Sequence, residues 1–166
     1  MSARIKSMNN RGFVFMELII VFAVVAILTT LALNNIPGSQ RSTTLTGAVD
    51  TLVSDIRNQQ TKAMEGTLIG QTVPNGYGIE FSQSQYTLFP GQTYSASASS
   101  NTVVPLNSRV IFSFIGFPNS SLVFASTSGE IVGYATNSSL LTLKESDSGA
   151  TESIQFDHYG TITSVH

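Results

Sequence analysis

A stretch of 21 residues, Phe13–Leu33, is apolar except for Glu17, Thr29 and Thr30. No other feature constrains the chain so strongly, because a helix that is apolar all round must be covered by something other than water. As a helix the run measures about 32 Å at about 1.5 Å per residue. That matches a bilayer core of about 30 Å. Arg4, Lys6 and Arg11 all precede it, and cations on that side keep the N-terminus cytoplasmic and send the rest outward. The expectation is a single-pass protein of the cytoplasmic membrane with an extracytoplasmic domain.

Glu17 is the expensive residue in this run. A charged side chain at the centre of a membrane helix costs about 2.5–3.5 kcal/mol, and less near an end. An ordinary secretory signal has a shorter apolar stretch and a small-residue cleavage site, and no such site follows cleanly here. An ordinary signal anchor accounts for everything except Glu17, unless that side chain reaches water near the headgroups.

The order cations, Gly12-Phe13, Glu17, apolar helix resembles the N-terminal signature of type IV pilins and pseudopilins. In that family a prepilin peptidase cuts after the glycine that ends a short basic leader, and the new terminal residue is N-methylated. The resemblance implies cleavage between Gly12 and Phe13, methylation of Phe13, and Glu17 as the fifth mature residue. Physical chemistry agrees with that mapping. Cleavage leaves an ammonium on Phe13, and a carboxylate one turn along, in the same or a neighbouring subunit, can neutralise it. Opposite charges attract more strongly in low dielectric, and each is costly if left unpaired there. Glu17 would then set the register of a subunit entering a filament. Family members commonly carry a proline about two-thirds along the helix. Here Asn34-Asn35-Ile36-Pro37-Gly38 reads as a kink or break, since proline lacks the helix donor and restricts its predecessor.

Beyond the break, Leu45, Val49, Leu52, Val53, Ile56, Ala63 and Met64 recur at helical spacing, so an amphipathic helix is expected to lay one face on a sheet. Gly66 is its expected stop. Arg57 and Ala63 near its end resemble the corresponding helix end of the H-type (GspH/FimT-like) minor pseudopilins.

After residue 70, short β-type runs alternate with turn residues. Tyr77–Phe81 and Gln85–Phe89 read as a hairpin, as do Leu140–Lys144 and Ser153–Phe156. Further strands are expected at Arg109–Phe114, Ser121–Ala125, Glu130–Tyr134 and Thr161–Val165, with Gly91–Asn101 an exposed Ser-rich loop. Two strand-turn units, one around Ser128-Gly129 and one around Tyr159-Gly160, share an apolar-x-Phe strand, a glycine and a β-branched strand. They resemble the paired units of the H-type domain. The expected fold is therefore α+β and pilin-like: one long N-terminal helix, membrane half plus amphipathic half, packed on an antiparallel sheet. Its parts are a leader at 1–12, a transmembrane and assembly helix at 13–38, and a head domain at 39–166.

Charge narrows the function classes. From Phe13 onward five cations stand against all ten carboxylates, and phosphate binding needs clustered Lys and Arg, so nucleic acid is not an expected partner. The chain has no cysteine, hence no disulfide and no thiolate metal site. Its two histidines, His158 and His166, form no catalytic set, and no glycine-rich phosphate loop follows a strand. Glu145, Asp147 and Glu152 offer oxygen ligands of the kind calcium takes, and major pseudopilins use such a loop. The spacing favours a solvated turn instead, and no cofactor is expected. The resemblance implies a non-enzymatic minor pilin or pseudopilin of a type IV pilus or type II secretion-like filament. Its partners would be prepilin peptidase, other pilins and an inner-membrane assembly platform. The alternative is a signal-anchored adhesin or carbohydrate-binding module that does not polymerise.

Overall fold

The computed structural model describes residues 11–33, 36–136 and 139–166, with side chains described for 15–30, 43–136 and 139–166. The chain forms two compact units, Met1–Gln40 and Arg41–His166. In the first lies α1 (Arg11–Leu33). All its described side chains, 15–30, are exposed, with Phe15 at 65% and Met16 at 68%. Thr29 and Thr30 return their hydroxyls to the carbonyls of Val25 and Ala26, each at 2.7 Å, so these two polar side chains are satisfied within the helix.

Helix α2 (Ile36–Glu65) has most of its length in the second unit. Pro37 stands at its second position, in the first turn, where a missing N–H leaves no helical bond unmade. From Leu45 the buried positions are Leu45, Val49, Leu52, Ile56, Gln59 and Ala63, none more than 2% exposed. Their spacing alternates four and three residues, which is one face of a helix. The fifth member is polar: Gln59 Nε2 donates to the carbonyl of Gly78 at 2.9 Å, tying α2 to a strand beneath it. Met64, expected on the same stripe, is 53% exposed. The helix ends as expected at Gly66, at φ 63°. Thr67 N–H donates to the Lys62 carbonyl and Gly66 N–H to the Ala63 carbonyl, the paired reverse bonds of a left-handed C-cap.

Eight strands follow: β1 (Gly76–Ser82), β2 (Gln85–Pro90), β3 (Thr102–Pro105), β4 (Val110–Ile115), β5 (Ser121–Ala125), β6 (Leu140–Glu145), β7 (Thr151–Phe156) and β8 (Ile162–Val165). They make two four-stranded sheets, ordered β3-β2-β1-β5 and β4-β6-β7-β8. Every pairing is antiparallel. The chain leaves the first sheet for β4, returns for β5 and leaves again for β6. Gly116 serves the return, since a Cβ there would stand 2.8 Å from the Leu140 carbonyl oxygen. A single core joins α2 to the inner faces of both sheets. Aromatic rings hold the sheets together: Phe81 of β1 meets Phe112 of β4 edge-on at 5.3 Å, and Phe117 meets Phe156 of β7 at 5.5 Å. Such pairs contribute about 0.5–1.5 kcal/mol beyond burial.

Three expectations need correction. The fold is mostly β, with two separate helices and eight strands in two sheets. It is not an α+β fold with one long N-terminal helix packed on the antiparallel strands. Proline at the start of α2 favours beginning a new helix over continuing an old one. Second, among the described residues no helix is long and apolar enough to cross a membrane. The expected transmembrane helix is therefore not found. The placement as a single-pass protein of the cytoplasmic membrane, N-terminus inside, rested on that helix and falls with it. Third, Glu130–Tyr134 is not a strand. Only Ile131 bridges to Phe124, between Gly129 and Gly133, both at positive φ.

Candidate functional site

The sequence places function at the start of α1. Arg4 and Lys6 lie outside the described residues. Arg11, Gly12 and Phe13 form the first turn of α1, and their side chains are likewise outside the description. Glu17 follows Phe13 by four residues, about one turn, so the two positions share a face. Glu17 is exposed, amid Phe15, Met16, Leu18 and Ile19, each more than half exposed.

The other sequence candidates separate. Glu145 is fully buried, and its Oε2 accepts from the backbone N–H and the hydroxyl of Ser148. It organises its own turn. Glu152 accepts from the Thr46 hydroxyl of α2 at 2.7 Å, and Asp147 is exposed. Among the described residues no three His, Cys, Asp or Glu side chains are grouped to hold a metal ion. His158 packs edge-on against Tyr134 and Tyr159, and His166 exchanges two backbone bonds with Ser153. Arg57 is exposed, whereas Ala63 is in the core.

The two strand-turn units that look alike in sequence do meet. Gln60 Nε2 donates to the carbonyls of Gly129 and Tyr159, at 3.0 and 2.7 Å. Ile131 N–H donates to the His158 carbonyl. A Cβ on Gly160 would lie 2.7 Å from Phe124 Cε1 and 3.2 Å from the Gly129 carbonyl oxygen, so the close approach depends on glycine. Both turns are thus pinned to the end of α2 by one amide that has no hydrophobic signature in the sequence.

Two polar pairs also escaped the sequence reading. Tyr86, 1% exposed, donates its hydroxyl to Asp55 Oδ2 at 2.6 Å. Burial, then the bond to Asp55 and its charge, hold that hydroxyl well above the ordinary tyrosine range. The folded state thus keeps this proton more tightly than the unfolded chain. The stabilisation is complete below the unfolded value of about 10 and is lost as pH climbs above it. Tyr86→Phe should cost about 1–3 kcal/mol near neutral pH, because Asp55 loses its donor. The gap to the parent should shrink when urea unfolding is repeated above about pH 10. The second pair is Glu80, which accepts from the Ser121 hydroxyl on the neighbouring strand. Burial pushes Glu80 up, and the Ser121 bond partly opposes this.

No family model, curated protein or solved structure matches this chain.

Proposed function

We propose that this chain is a structural minor pilin or pseudopilin. Prepilin peptidase removes residues 1–12, Phe13 becomes the N-methylated terminus, and α1 joins the protein to its siblings in a filament. The reading assigns it no enzymatic step. The observation that supports it is the exposure of α1: every described side chain from 15 to 30 is open to solvent, and sixteen consecutive positions carry only one charge, Glu17. An apolar helix left uncovered by its own chain calls for other copies of that helix, or of a sibling's, to bury it.

Area sets the scale. Burying one Phe, Leu, Ile or Val side chain gains about 1.5–3 kcal/mol, and α1 offers ten such side chains at 50% exposure or above. That exceeds the cost of ordering a subunit in an assembly. Inside such a bundle the Phe13 ammonium and the Glu17 carboxylate are the two groups that need each other.

The absence of native cysteine makes the test clean. Single variants Leu18→Cys and Val25→Cys, expressed with partner pilins that carry a cysteine at the matching helix position and oxidised gently, should yield disulfide-linked dimers. A control with Ser97→Cys, in an exposed loop of the second unit, should yield few. If the α1 variants stay monomeric under oxidant, or if the loop variant links as readily as they do, assembly through α1 is wrong.

A further inference from the structure

The outer face of the first sheet, turned away from α2, carries an unassigned cleft of about 450 Å³. Its floor is set by strand register. One cross-strand row is Phe89, Gly78 and Val123, and the next is Thr87, Glu80 and Ser121. Phe89, Thr87 and Val123 are buried without belonging to the main core. The Phe89 ring lies over Gly78, where a Cβ would stand 2.4 Å from Phe89 Cζ. Tyr94, from the loop after β2, leans on that ring at 5.4 Å. The second row holds a carboxylate between two hydroxyl residues, with Glu80 accepting from Ser121.

The walls are uncharged and mixed: Gln92, Thr93 and Asn119 line the cleft together with Pro118 and Val132. Asn119 and Ser120 are consecutive non-glycine residues in the left-handed region, at φ 52° and 54°. Backbone strain of this sort costs about 1–3 kcal/mol per residue and concentrates at ligand sites. No Lys, Arg or His lines the cleft. An anionic ligand would meet Glu80 with no cation to offset it, and a metal ion would find a single carboxylate. A purely apolar ligand would strand the amides and hydroxyls.

What remains is a small neutral molecule rich in hydroxyls with one C–H face. We propose that this cleft binds a neutral saccharide. Glu80 accepts hydrogen bonds from two adjacent sugar hydroxyls, Asn119 supplies a paired donor and acceptor, Gln92, whose Nε2 also donates to the Asn75 carbonyl at 3.2 Å, adds its amide oxygen and second N–H, and Tyr94 takes the C–H face of the ring. The volume falls within the usual small-ligand range of about 300–1,000 Å³. This site lies wholly in the second unit and does not depend on assembly through α1.

Ligand-observed saturation-transfer NMR on the full chain tests it, using lactose, maltose and N,N′-diacetylchitobiose as neutral probes and sialyllactose as the anionic one. At least one neutral disaccharide should receive saturation, and sialyllactose less. Glu80→Gln and Tyr94→Ala should each weaken the binding at least tenfold in a titration, while Tyr94→Phe retains it and Val165→Ala, on a β8 strand of the other sheet, changes nothing. Thermal unfolding of each variant checks that the fold survives. The proposal is overturned if no neutral disaccharide receives saturation, if sialyllactose binds as well or better, or if folded Glu80→Gln and Tyr94→Ala bind like the parent.

Discussion

Glu17→Val should give a chain that is still cut after Gly12 yet enters filaments at least a hundredfold less often than the parent. Valine suits an apolar helix better than glutamate does, so a simple packing account predicts the opposite. The loss arises from the partner. On the proposed processing, the Phe13 ammonium sits at the end of α1, and in a bundle of apolar helices it has no water to turn to. Removing one member of a buried pair leaves the other uncompensated, at about 3–5 kcal/mol, which is about two to four decades in an association constant. Glu17→Gln should fall between, since it accepts a hydrogen bond without carrying charge. Gly12→Leu should fail one step earlier, leaving the leader attached. Counting each variant in sheared filament fractions, beside its N-terminal mass, separates the two steps. Normal incorporation of Glu17→Val would remove the role given to that carboxylate.

The second large effect concerns the domain itself. Leu52 is fully buried at the middle of the α2 stripe, in the core that joins the helix to both sheets. Leu52→Ala should destabilise the domain by about 2–5 kcal/mol, the transfer term plus the cavity left behind. A domain of this size has only about 5–15 kcal/mol in all, so the urea midpoint should drop sharply. Met64→Ala, 53% exposed on the same helix, should stay within about 0.5 kcal/mol of the parent. Equal losses at both positions would mean that α2 packs through another face.

That contrast shows what a sequence can carry. Apolar residues at four-and-three spacing mark the α2 stripe from Leu45 to Ala63, and Gly66 marks its end, because both follow from local backbone geometry. The hairpins β1–β2 and β6–β7 were legible for the same reason: alternation and turn residues sit within a few positions of each other. Gln59 was not legible. Its place in the core depends on the Gly78 carbonyl, nineteen residues away, and no periodicity of apolar residues can include a glutamine. Strand exchange was hidden too. Nothing within Arg109–Phe114 shows that it pairs with β6, some thirty positions later, and not with its neighbour β5. The short strand β3, four residues after a Ser-rich loop, has too few positions to show alternation.

The two errors of larger scale have one origin. The apolar run and the amphipathic run look like halves of one long helix spanning a membrane and then lying on a single sheet. Each half is a helix. What joins them and what covers them depends on Pro37 and on contacts at long range, and hydropathy reports neither. The cleft at Glu80 was equally silent, since its row exists only when β2, β1 and β5 stand side by side. Only the alternation of Glu80 with Ile79 and Phe81 hinted that it faces away from the core.

The central claim, processing after Gly12 and assembly through α1, is tested most directly by the intact mass of the chain recovered from filament fractions of cells that also make the peptidase. The account predicts a chain that begins at Phe13 and carries one added methyl group on its terminal amine. A chain that begins at Met1, or at any residue other than Phe13, would contradict it.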